Sequence, residues 1–184
     1  MSINNSKTPT HRIDNFAQFM GFYIAHLNWC LEDGESVAPL LAIQNKDETW
    51  VERFYENPYE HAASKAKEKF NTIPLFPGDY TLVGVDGSYT RHDKRDEALL
   101  IDAFECQSPE EKAYKLIIPY RSANSAEGLV IYQTNLFLPR NFIDTDKTLF
   151  LDNLYSGFYS HIKGFELWDN HRDRNLEPIL IVDY

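Results

Sequence analysis

The chain has 184 residues, of which 43% are hydrophobic and 14% aromatic, and its formal net charge at pH 7 is −10. This length and composition are typical of one folded domain with a sizeable core, and they exclude an intrinsically disordered chain. The acidic balance disfavours a nucleic-acid-binding protein, because contact with phosphates needs a basic face. No apolar stretch approaches the ~20 residues of a membrane span, so we expect no membrane-embedded segment.

The amino terminus and the cysteine content bear on compartment and domain organisation. The first ten residues are polar and lack the apolar core of a signal peptide, and the chain has only two cysteines, Cys30 and Cys106. We therefore expect a cytoplasmic, reduced protein. Residues 1–10 are predicted to be a flexible tail. No repeat, low-complexity tract or linker divides the rest, so residues 1–184 are predicted to form a single α+β domain.

The first part of the chain is predicted to be helical. Apolar residues recur at three and four positions over Asp14–Cys30, which predicts an amphipathic helix lying on a sheet. A short helix is predicted over 37–43. A further helix is predicted over Glu48–Glu56, because Asp47 can satisfy the free N–H groups of its first turn. The fourth helix of this part is predicted over Tyr59–Phe70.

Residues 79–138 predict the sheet. Four apolar runs of strand length are separated by short polar loops, and they span 80–90, 98–106, 113–120 and 129–138. The loops are too short for the crossover of a dozen or more residues that parallel neighbours need, so an antiparallel meander is expected. A helix over Asp146–Lys163 is predicted to follow. Gly157 in its interior would be explained by close approach to another element. Residues 177–184 predict a short final strand at the sheet edge.

The predicted fold class is therefore α+β, with N-terminal helices packed on a four-stranded antiparallel meander, then a C-terminal helix and a short final strand. The sequence contains none of the common catalytic or metal-binding motifs that would indicate a reaction. The sequence has no His-Glu-x-x-His, no Cys-x-x-Cys and no Gly-x-Ser-x-Gly. We expect neither a cofactor nor a metal ion, and a binding protein is favoured over an enzyme.

One charge pattern points to a partner. Glu48, Glu52 and Glu56 are spaced by four and would form one stripe on the predicted helix, although like charges at this spacing cost a helix about 0.2–0.5 kcal/mol per pair. With Trp50 and Glu60 they are the candidate residues for binding a basic protein. The predicted function is an acidic protein-binding module, such as an inhibitor or immunity protein that neutralises a toxin or nuclease. The same pattern also fits a solvated helix face.

A second hypothesis is a small-molecule-binding protein or enzyme. Helices packed on a curled sheet can enclose a pocket, as in a cone-like α+β fold. Its candidate polar residues are Tyr23, His26, Asp102 and His161, and it requires a cavity between the first helix and the sheet. A structural subunit of a larger assembly is the third alternative.

Overall fold

A computed structural model describes residues 12–91, 94–106, 112–139, 142 and 146–182. These residues form four helices and eight strands in a mixed α+β fold. The helices are Phe16–Trp29 (α1), Tyr59–Thr72 (α2), Lys147–Ser160 (α3) and Ile162–His171 (α4). The strands are Leu40–Gln44 (β1), Thr49–Arg53 (β2), Tyr80–Arg91 (β3), Lys94–Glu105 (β4), Lys112–Arg121 (β5), Val130–Ile131 (β6), Thr134–Phe137 (β7) and Ile179–Val182 (β8).

The strands form one sheet in the order β2-β1-β3-β4-β5-β7-β8, with β6 also paired to β5. Antiparallel pairing between consecutive strands of residues 79–138 is confirmed. The sheet is larger than the predicted meander, because β1 and β2 join one side. On the other side β8 pairs in parallel with β7, at the edge where a short final strand was predicted over 177–184. The predicted strand over 129–138 consists of two short strands, β6 and β7.

The helices predicted over 37–43 and Glu48–Glu56 are wrong, because these segments form the β1–β2 hairpin. The apolar run of β1 is buried on both faces of the sheet, and such a run cannot be told from a buried helix by periodicity. Asn45 makes the turn, since its Oδ1 accepts hydrogen bonds of 2.8 Å from the backbone N–H groups of Asp47 and Glu48. Asp47 therefore lies in a turn rather than at a helix cap.

The first helix, α1, is buried on almost all sides, between the sheet and the α3–α4 pair. Small residues permit this approach. A Cβ added at Gly157 would lie 1.9 Å from the carbonyl oxygen of Gln18, and one added at Gly21 would lie 1.9 Å from that of Leu154. The close approach expected at Gly157 is confirmed. The predicted single helix over Asp146–Lys163 is two helices that meet at His161, whose backbone leaves the helical conformation.

The two faces of the sheet are covered differently. On one face α1, α3 and α4 form the layer that closes the main core, which contains Phe19, Leu27, Leu99 and Leu116. On the other face α2 packs on β1 and β3 and closes a smaller core. None of the four described helices combines the length and apolar character needed to cross a bilayer.

Candidate functional site

The structure brings together three of the four residues proposed for a pocket. His26 on α1 and His161 at the α3–α4 junction are in contact, with 3.0 Å between His26 Nδ1 and His161 Nε2. Tyr23 lies one turn earlier on α1, with 6.5 Å between its ring centroid and that of His26. Asp102 does not join them. It lies on the opposite face of the sheet, where its Oδ1 is 4.0 Å from Lys115 Nζ.

Side chains fill the space predicted for the pocket. Between α1 and the sheet lie Tyr23, Leu27, Leu82, Leu99 and Leu116, each at most 2% exposed. These side chains pack in one continuous core. The space between α1 and the sheet beside Tyr23 and Leu27 is therefore filled, and His26 lies on the side of α1 that contacts His161. A cavity of about 320 Å³ does open between the start of α1 and the sheet, where Phe16, Tyr80 and Tyr114 line it, but none of the four candidate residues reaches it.

The His26–His161 pair belongs to a larger polar cluster that joins three elements. Arg53, the last residue of β2, places Nη2 at 2.8 Å from His26 Nε2 and donates to Cys30 Sγ at 3.0 Å. His161 Nδ1 accepts a hydrogen bond of 3.0 Å from the backbone N–H of Gly164 and so caps the start of α4. The cluster links the end of α1, the start of α4 and the edge strand β2.

The hydrogen count of this cluster is unbalanced. The Gly164 N–H donates at one end of the series of contacts and Arg53 Nη2 can only donate at the other. A neutral imidazole has one N–H donor and one acceptor nitrogen. The three contacts are Gly164–His161, His161–His26 and His26–Arg53. With both rings neutral, they cannot all be hydrogen bonds at once, because one of them would bring two donors together. Protonating either ring would add another donor. The arrangement therefore disfavours a charged imidazolium.

The pKa values change in the direction that this count requires. Burial, then the positive charge of Arg53 and the proximity of His161, lower the pKa of His26 to about 4. Burial also lowers the pKa of His161. Both rings are neutral at pH 7. Each of their four ring nitrogens lies within 3.0 Å of another polar atom of the chain, and this close packing favours a structural role for the pair over acid–base catalysis.

A cleft of about 300 Å³ opens beside this cluster. Its walls are Trp29 and Cys30 at the end of α1 and the loop that follows, including Glu32, Asp33 and Glu35. These three acidic residues are exposed. None of the ion pairs formed by the described residues involves them. The cleft is thus an acidic concavity with an aromatic wall.

Trp29 already holds one cation of the chain itself. Lys163 Nζ lies 5.0 Å from the centroid of the indole ring, a distance at which the ring quadrupole attracts an ammonium group. The indole N–H donates to Glu32 Oε2 at 3.1 Å and so fixes the ring beside a carboxylate. Trp29 therefore combines an aromatic face and a nearby negative charge.

Tertiary contacts fix the loop that forms the cleft. The carbonyl oxygen of Gly34 accepts hydrogen bonds from Ser122 Oγ at 3.2 Å and Asn124 Nδ2 at 3.1 Å. Gly34 has φ of +75°, and an added Cβ would lie 2.7 Å from Asn124 Cγ, so only glycine fits here. The backbone N–H of Val37 donates to Asp86 Oδ2 at 3.2 Å. The acidic residues are thus held on an ordered loop.

The acidic stripe predicted from sequence does not form as expected, because Glu48, Glu52 and Glu56 do not lie on a helix. Glu52 pairs with Lys69, and Glu56 Oε1 lies 2.7 Å from Lys65 Nζ, both lysines being on α2. Trp50 packs against the smaller core. The lysines that neutralise this surface follow at positions 65 and 69.

Glu48 and Glu60, the other two candidates, are exposed. Glu60 lies on the wall of a groove of about 790 Å³ between α2 and the β3–β4 hairpin. That groove also contains Lys67 and Arg95, so its charges are mixed. The smaller cleft at Trp29 is the more acidic of the two, because its lining contains no lysine or arginine, although Lys163 lies over the Trp29 ring.

Metal binding and known relatives give no further assignment. Among the described residues, no group of three or more His, Cys, Asp or Glu side chains is arranged to hold a metal ion. Comparison with models of protein families gives no match, and neither do comparisons with curated proteins and with solved structures.

Proposed function

We propose that this chain is a protein-binding module whose acidic cleft receives a Lys or Arg side chain of a basic partner. The supporting observation is the cleft beside Trp29, where Glu32, Asp33 and Glu35 are exposed and have no cationic partner among the described residues. An inhibitor or immunity protein acting on a basic toxin or nuclease is the function of this kind that best suits a net charge of −10.

Three physical effects favour a cation in this cleft. The carbonyl groups at the end of α1 carry the negative end of the helix dipole, which attracts positive charge. The indole ring of Trp29 attracts cations through its quadrupole, and a partner's cation would add to or replace Lys163, which already lies over the ring. The exposed carboxylates steer a basic partner during its approach. Arg53 lies below the cleft and opposes this field, but it is occupied by Ala38 O, Cys30 and His26.

The proposed contact differs from the one predicted from sequence. Glu52 and Glu56 are neutralised by α2 and contribute little to a partner. Glu48 and Glu60 remain exposed and add to the negative field of the molecule. We place the contact with the partner on the loop after α1 instead.

Binding of a fluorescent oligoarginine peptide, measured by anisotropy over a salt series, tests this function. In the cleft variant, Glu32→Gln, Asp33→Asn and Glu35→Gln remove three negative charges. The control variant removes three exposed charges elsewhere, by Glu68→Gln, Asp152→Asn and Glu177→Gln. Exposed ion pairs contribute about 0.2–1 kcal/mol each, so the cleft variant should bind about tenfold more weakly.

The control variant should bind within about twofold of the wild type, because its charges lie outside the cleft. Equal weakening in both variants would show that only the net charge of the molecule matters, which would contradict a specific site. A Trp29→Ala variant adds a charge-neutral comparison. It should weaken binding without changing the salt dependence.

A further inference from the structure

We infer that the core contains a specific site for one water molecule, which bridges α1 and β7 at Asn28. The side chain of Asn28 is 1% exposed, and its Oδ1 has no hydrogen-bond donor among the described residues. A buried acceptor of this kind is normally paired, because it has lost its hydrogen bonds to solvent. Asn28 therefore requires a donor that the described residues do not supply.

Asn28 lines a small cavity. Its volume is about 20 Å³, and a water molecule needs about 10–15 Å³. The cavity admits one water and excludes any organic ligand. Its walls are mostly apolar and come from α1, α3, α4 and the start of β8, including Leu154, Phe158, Trp168 and Ile179.

The cavity also supplies further polar groups. Thr134 on β7 lines it and is 6% exposed, and Tyr155 on α3 lines it from the other side. A buried water needs about two to four polar partners. We assign Asn28 and Thr134 as the two partners that meet the lower limit, and Tyr155 lines the same cavity. The inference holds for either orientation of the Asn28 amide, because water both donates and accepts.

The position of this site has a structural consequence. α1 is the central helix of the main core. β7 pairs with β8, and among the described strands this is the only parallel pair. A water that joins Asn28 to Thr134 connects these two elements with a polar link inside an apolar layer. The site is separate from the acidic cleft and does not depend on the proposed function.

Water–protein NOE and ROE spectra of the folded, isotope-labelled chain test the inference directly. A long-lived water should give cross-peaks to the amide protons of Asn28 or Thr134 in the wild type. Thr134→Val keeps the side-chain shape but removes the hydroxyl, and it should abolish these cross-peaks while the chain remains folded. Thr148→Val, at an exposed position on α3, should leave them unchanged.

A crystal structure of the wild type provides the second measurement. Density for a water within hydrogen-bond distance of Asn28 Oδ1 is expected. No cross-peak and no density in the wild type would overturn the inference. Cross-peaks that persist unchanged in Thr134→Val would also overturn it, since the proposed bridge would then be wrong.

Discussion

Stability should fall steeply in mild acid because of His26. Burial and Arg53 lower its pKa in the folded protein to about 4, from the ordinary value of 6.5. At pH values between these two pKa values, His26 therefore binds a proton in the unfolded chain but not in the folded chain. One pKa unit corresponds to about 1.36 kcal/mol, so about 3 kcal/mol of stability is lost in all. About 2 kcal/mol of this should be gone by about pH 5.

Urea unfolding at a series of pH values between about 7.5 and 5 measures this loss. His26→Gln removes the titrating group, so its free energy of unfolding should change much less over the same range. His61→Gln, which alters an exposed histidine on α2, is the matched control and should follow the wild type. Comparison with these variants is needed because Asp86 has the opposite effect. Burial raises the pKa of its carboxyl group, so protonation of Asp86 in acid favours the folded state. Equal pH dependence in the wild type and His26→Gln would refute the reasoning.

Three further predictions concern packing and charge, and urea unfolding checks each. Phe158→Ala should cost about 3–5 kcal/mol, because this ring is 7% exposed in the main core; a loss below about 1 kcal/mol would contradict that placement. Gly157→Ala should destabilise the protein despite better helix propensity, since its Cβ would meet a carbonyl oxygen of α1 at 1.9 Å, whereas the exposed Ser156→Ala should be nearly neutral. Glu52→Gln should cost less than about 1 kcal/mol, because its partner Lys69 is 43% exposed.

The central sheet could be predicted because its loops are short and its strands are bounded by polar residues. The β1–β2 hairpin could not, because Leu40–Gln44 is buried on both faces and shows no alternation. The sequence of α1 does indicate its second neighbour. Ala17, Gly21 and Ala25 recur at intervals of four, and a stripe of small residues opposite the apolar face indicates a second packed element. That element is the α3–α4 pair.

The candidate site was only partly predictable. His26 and His161 were both selected from the sequence, but their contact spans 135 positions and no spacing rule can place it. Glu32, Asp33 and Glu35 were visible as part of an acidic segment. The stronger signal was their position just after the end of a helix, where basic residues are normally favoured. Acidic residues placed there act against helix stability, which points to another role.

The cleft and the histidine cluster are mechanically connected. Arg53 Nη1 donates to the carbonyl oxygen of Ala38 at 3.1 Å, and its Nη2 contacts Cys30. Both residues line the cleft. Neutral His26 thus packs against the guanidinium group of Arg53, which in turn donates to two residues of the cleft walls. A site fixed in this way loses little conformational entropy when a partner docks. Its exposed carboxylates then govern mainly the association rate, while burial of Trp29 governs the lifetime of the complex.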